Sequence, residues 1–182
     1  MPKIMLTKLG SAERQLTEAI HLFFEERDPL AIHTLAGAAG RVTADLMKAR
    51  GLPSLLRNGA MIVPERRAEV MAEMFAPENF LKHADRDPEA TLEFNPEVTA
   101  FFIFAAVIEL ESLTQQQFLA GSLFKTWFFV NYPDTLADVP ENAASKATAE
   151  RHRASGLTLE KAKFLQLLKH PPSMEGPAPS AP

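Results

Sequence analysis

The sequence predicts an all-α helical bundle, and three observations carry that prediction. Apolar residues recur at the 3.6-residue spacing of amphipathic helices along most of the chain. Asp28-Pro29 and Asn95-Pro96 place a side-chain acceptor and a preset proline φ where such segments start. No segment shows the sustained apolar–polar alternation of a half-buried strand.

The first helix is expected from about Ser11 to Arg27, with Leu16, Ala19, Ile20, Phe23 and Phe24 as its apolar stripe. Asp28 caps the second, Pro29 occupies its first position, Ile32, Leu35, Ala36, Ala39, Val42 and Leu46 face the core, and Gly51 stops it. Asn58-Gly59 reads as a turn. A third helix opens at Pro64-Glu65 and carries Val70, Met74 and Phe75. Pro77 is expected to break it and restart a short helix of about two turns, because the ring removes a donor and crowds the preceding turn. The fourth helix follows Asn95-Pro96-Glu97 and is apolar on nearly every side, as in a helix at a bundle centre or a subunit interface. A fifth begins near Thr114, carries Phe118, Leu119, Leu123, Phe124, Trp127, Phe128 and Val130, and closes at Asn131-Tyr132-Pro133. A last one runs from about Thr158 with Leu159, Phe164, Leu165 and Leu168 apolar.

These segments divide into a helical bundle over residues 8–135, a basic helical arm over 136–170 and a Pro-rich tail over 171–182. Between Glu141 and His170 six Lys and Arg stand against three Glu, a local charge of +3 in a chain of net charge −4. The tail holds five of the 14 prolines and is expected to be disordered.

Composition excludes whole classes of function. Nineteen basic against 23 acidic side chains argue against avid, non-specific nucleic-acid binding and leave room for a weak RNA contact. The absence of cysteine excludes disulfides, cysteine nucleophiles and cysteine-ligated zinc or iron–sulfur centres. The longest apolar run, Ala100–Ile108, is 9 residues, far below the ~20 that span a bilayer. With no signal-peptide pattern in Met1-Pro2-Lys3-Ile4-Met5-Leu6, the chain reads as cytoplasmic, without membrane association.

Few patterns carry chemistry. Glu18-Ala19-Ile20-His21 has the Glu-x-x-His spacing of di-iron bundles, but no second pair accompanies it. Glu18, His21, His33 and His83 are therefore weak metal candidates, and no metal or other cofactor is expected. His33, Gly37, Gly40 and Ala44 share one helix face, which favours close helix packing with His33 as an orienting hydrogen-bonder. The serines lack a Gly-x-Ser-x-Gly elbow, and no Gly-rich phosphate loop occurs. Glu25/Glu26 and Glu109/Glu111 read as solvated helix faces or ends, and Trp127 with Phe124 and Phe128 as core.

The densest polar constellation lies between Glu78 and Pro88. Asn79, Lys82, His83 and Arg86 recur at i, i+3, i+4 and i+7 and would share one helix face, with Phe80, Leu81 and Ala84 anchoring the segment. An amide, an amine, an imidazole and a guanidinium in a row suit an anion or a polar partner.

Residues Asp28 to Ala36, followed by Asn79-Phe80-Leu81-Lys82-His83-Ala84-Asp85-Arg86-Asp87-Pro88, resemble an uncharacterised family of bacterial cytoplasmic all-helical proteins. The likeness covers roughly residues 12–97 and continues weakly through Trp127-Phe128. The second stretch is also similar to the Arg-Asn-x-x-x-His motif of HEPN domains, which are all-helical, commonly dimeric, and include ribonucleases and non-catalytic binding modules. Asn79 and His83 match that motif, but Glu78 stands where its arginine should be, and a carboxylate there would repel phosphate. Lys82 and Arg86 are read as facing away from position 78.

The resemblance implies a homodimeric, non-catalytic binding or regulatory module that recognises a protein partner or a small anionic or nucleotide ligand. Asn79, Lys82, His83 and Arg86 would bind, with His33 nearby. The alternatives are a metal-independent endoribonuclease using His83 as acid and base and a metal-binding bundle.

Overall fold

A computed structural model describes residues 3–58, 64–82, 85–132 and 160–171, together with positions 147, 150, 151, 154 and 155. Among these the chain is all-α. The helices are α1 (Lys8–Phe24), α2 (Pro29–Ala49), the single turn α3 (Leu55–Asn58), α4 (Arg67–Lys82, entered through a 3-10 turn at Pro64–Arg66), α5 (Val98–Thr114), α6 (Leu119–Asn131) and α7 (Lys161–Lys169). Gly59, His83, most of the basic arm before Glu160 and the tail from residue 172 lie outside the described residues.

The first two helices follow from their caps. Thr7 accepts from the Gly10 N–H and Asp28 from the Ala31 N–H, each satisfying one of the donors a helix start leaves open. Both helices end in the same backbone motif. The Arg27 and Leu52 amides reach back to Leu22 and Met47, and the residue before each, Glu26 or Gly51, takes positive φ. Glycine suits that conformation at position 51, while Glu26 adopts it at a steric cost.

Helix α5 is the axis of the bundle, packing against α1, α2, α3, α4 and α6. Phe102, Ile103, Ala106, Val107 and Leu110 are fully buried along it. That explains an apolar surface on nearly every side: every side meets another helix. Phe104 stacks on Phe128 of α6 at 4.3 Å, and Phe23, Phe24, Phe124 and Trp127 join in an edge-to-face cluster. Trp127 is thus core, with no face left for stacking a base. Among the described residues no helix is long and apolar enough to cross a membrane.

Helix α7 closes onto this aromatic end. Phe164 stacks on Phe24 at 5.3 Å, Leu168 is buried beside it, and the Lys161 ammonium lies 4.0 Å from the centre of the Phe23 ring. Lys169 completes the contact with an ion pair to Glu25 at 2.9 Å. The C-terminal helix therefore shares the core of α1 and α6.

Several expectations need correction. Pro77 lies inside α4, which runs through it without a restart. The ring is buried, so the side chain packs into the core while the helix forgoes one backbone hydrogen bond. Thr114 ends α5 instead of starting α6. Its hydroxyl donates back to the Leu110 carbonyl and Gln115 takes positive φ, so α6 begins at Leu119.

Glu109 was expected on a solvated face and is fully buried. Its Oε1 accepts from the Ser54 hydroxyl at 2.7 Å and the Leu56 amide at 3.0 Å, and its Oε2 from the Thr43 hydroxyl at 2.8 Å. One carboxylate thus caps α3 from outside and fastens it, with α2, to the central helix. Three donors replace the water it gave up.

Candidate functional site

The polar residues of α2 and α4 meet where the two helices pack together. Residues 33, 37 and 41 follow one another at one-turn intervals on α2, as do 74, 78 and 82 on α4. His33 is buried between α2, α4 and α5, with Phe94 and Phe102 set edge-on at 5.4 Å. Its Nε2 lies 3.0 Å from the Met74 carbonyl and its Nδ1 3.1 Å from the Thr99 hydroxyl. A carbonyl only accepts, so Nε2 carries the proton and donates, while Nδ1 accepts from Thr99.

Burial pushes the His33 pKa down, opposed by the Met74 hydrogen bond and the charge of Glu78. The sign follows directly. A depressed imidazole favours the neutral form in the folded state, so the unfolded chain binds the proton more readily. The stability that His33 confers is complete above about pH 6.5, the ordinary imidazole value, and is lost as pH falls toward the lowered one. Melting temperatures measured from pH 8 down to pH 5 should fall more steeply for the native chain than for His33→Gln, which can still donate to Met74. Equal slopes would exclude this contribution.

One turn beyond Met74, Glu78 turns inward. Its side chain is 7% exposed, and Oε1 pairs with the Arg41 guanidinium at 3.4 Å and with the Lys82 ammonium. Arg41 also lies 6.0 Å over the Phe75 ring. Oε2 is buried with no hydrogen-bond partner among the described residues. The Arg41 and Lys82 side chains stay 49% and 54% exposed. The result is an inward carboxylate with two cationic heads gathered at its mouth.

This differs from the four-residue face expected between Asn79 and Arg86. Lys82 joins the cluster, since four residues of helix bring it only about 40° round from position 78; reading it as facing away is corrected by its ion pair with Glu78. Asn79 is exposed to solvent one position on. Arg86 stands in a turn beyond the end of α4, so the i+7 relation no longer puts it on the helix face. Leu81 is 44% exposed and anchors nothing. His83 lies outside the described residues.

Comparison with protein-family models, curated proteins and solved structures gives no match to this chain.

Among the described metal candidates, Glu18, His21 and His33 do not converge. Glu18 and His21 lie on α1, whereas His33 has both nitrogens engaged between α2, α4 and α5. Among the described residues no three His, Asp or Glu side chains are placed to hold an ion. Arg41 is the member of the cluster that sequence reasoning missed. Its signal was the His33–Gly37 spacing itself, which continues one turn further to position 41.

Proposed function

We propose that the chain is a non-catalytic, HEPN-like helical binding module, and that a small anionic ligand binds on Arg41 and Lys82 at the surface where α2 meets α4. The observation that carries this reading is the convergence of both cations on one oxygen of the inward Glu78, with their heads about half exposed. Cations already held in place lose less conformational freedom when an anion arrives than free surface Lys and Arg do. The guanidinium adds a planar fork matched to phosphate or carboxylate. Asn79, exposed at the next position of α4, can add an amide donor. His33 supports binding over catalysis, since both its nitrogens are spent on holding α4 and α5. A homodimer and a protein partner with an acidic segment belong to the same reading.

Isothermal titration with inorganic phosphate and AMP tests the proposal. Binding should weaken by about ten- to a hundredfold when Arg41 and Lys82 are both replaced by alanine, the loss of one or two charge-assisted contacts. Unchanged affinity in that double variant, or no binding of either anion, removes the reading. Single-stranded RNA incubated with micromolar protein in EDTA should remain intact. Cleavage that disappears in His83→Ala would replace the binding module with a metal-independent endoribonuclease.

A further inference from the structure

The C-terminal end of α1 breaks two rules of its own helix, and the compensation stands on α7. A helix closes best on glycine in the left-handed region and on cationic side chains at the negative end of its dipole. Here Glu26 takes the left-handed position at φ 54° and Glu25 precedes it, so two carboxylates crowd that negative end. Lys169 pairs with Glu25 at 2.9 Å, and the Lys161 ammonium lies 3.8 Å from the Glu26 carboxylate. The same ammonium sits 4.0 Å from the centre of the Phe23 ring and 5.8 Å from that of Trp127. Arg27 also reaches Glu25, at 3.4 Å, but from two residues along the same chain it holds nothing of α7.

The second observation concerns α7 itself. It has nine residues, fewer than the ~12–15 at which an isolated helix becomes marginal, and no side chain caps its start. Phe164 and Leu168 are its buried residues, whereas the lysines that pair with Glu25 and Glu26 sit at its two ends. A segment with so small an apolar contact and so little helicity of its own belongs to the low-stability end of a structure. Helix α5, enclosed by five others, belongs to the high end.

We infer that α7 is a latch worked by charge: it opens by itself while the bundle stays folded, and the charges of Lys161 and Lys169 set how often. Opening bares Phe23, Phe24 and Trp127 as an aromatic surface edged by Glu25 and Glu26. Salt screens the ion pairs, so the latch loosens as ionic strength rises and tightens as it falls. A helix inseparable from the core would open only with the whole bundle.

Amide hydrogen exchange of the full chain, read for α7 and α5, tests the latch. Exchange in α7 should outpace that in α5 and quicken severalfold between about 0.02 and about 0.5 M salt, with α5 unmoved. Replacing both lysines, as Lys161→Gln with Lys169→Gln, removes the charges and keeps most of each stem. That variant should exchange α7 about tenfold faster, lose most of the salt effect, and leave α5 as it was. Acrylamide should then quench Trp127, the single tryptophan of the chain, more strongly than in the native protein. Lys169→Glu should open α7 as well, and adding Glu25→Lys should recover part of the loss. Equal exchange in α7 and α5 overturns the inference, since α7 then opens only with the bundle. Exchange in α7 that ignores both salt and the double glutamine variant also overturns it, because Phe164 and Leu168 would then hold the helix without the charges.

Discussion

Replacing Glu109 by alanine should destabilise the chain by about 3–5 kcal/mol, the sum of two buried donors left without an acceptor and an emptied volume. The carboxylate is fully buried and takes donors from the Ser54 hydroxyl, the Leu56 amide and the Thr43 hydroxyl. Thr43 can fall back on the Gly40 carbonyl, 3.1 Å away, so the damage concentrates on Ser54 and Leu56. Each donor left buried without an acceptor costs about 1–3 kcal/mol, and the emptied volume adds a cavity penalty. Glu109→Gln keeps the volume and the oxygen facing Ser54 and Leu56, and its amide nitrogen can donate to the Thr43 hydroxyl while that hydroxyl donates to Gly40, so it should lose only about 1 kcal/mol. Urea unfolding of the three proteins checks the order. A loss below about 1 kcal/mol for Glu109→Ala would mean the network contributes no more than an ordinary surface bond.

Alanine at Gly40 and alanine at Gly37 should act with opposite signs, although they are the same substitution on the same helix. Both gain about 1 kcal/mol of helix propensity. At Gly40 the new methyl group meets Phe102 and Leu56, and neither can withdraw. Phe102 is fully buried between His33 and Phe75, and Leu56 is tied through its amide to Glu109. Overpacking near the upper end of the usual range, about 3 kcal/mol, then leaves Gly40→Ala destabilised by about 2 kcal/mol. At Gly37 no neighbour lies within 4 Å, so the propensity gain stands. For a chain of this length, thermal melts should show a fall of roughly 4–8 °C at Gly40 and a rise of roughly 2–4 °C at Gly37. Shifts of the same sign at both positions would contradict the packing described for α2.

What the sequence made legible was local. Asp28-Pro29, Gly51 and the stripe from Leu16 to Phe24 announce α1 and α2 because caps and 3.6-residue periodicity act over a few neighbouring residues. Pro77 was misjudged because propensity describes an isolated helix, whereas here the buried ring is held by tertiary contacts. Glu109 was misplaced for a similar reason. Its donors come from residues 53 to 66 positions away, beyond the reach of any local pattern. A signal was nevertheless present: an acid within a helix apolar on all sides has no solvated face to occupy. At the candidate site, the histidine and glycines of α2 were recognised as one face, and Lys82 as a member of the polar row. Their meeting at an inward Glu78, through an unnoticed Arg41, depends on how α2 and α4 cross, which spacing alone does not specify.

The docking of α7 has a consequence for how the chain is made. Phe23 and Phe24 leave the ribosome early, yet the side chains that cover them, Lys161 and Phe164, are translated well over a hundred residues later. Even after Trp127 has emerged to join them, some thirty codons separate it from Lys161. At roughly 5–20 residues per second that interval lasts on the order of 2–7 s. For those seconds the nascent chain presents an aromatic patch edged by Glu25 and Glu26 that the finished protein hides. Aggregation or chaperone capture during synthesis should therefore depend on how quickly ribosomes pass the codons between Trp127 and Lys161.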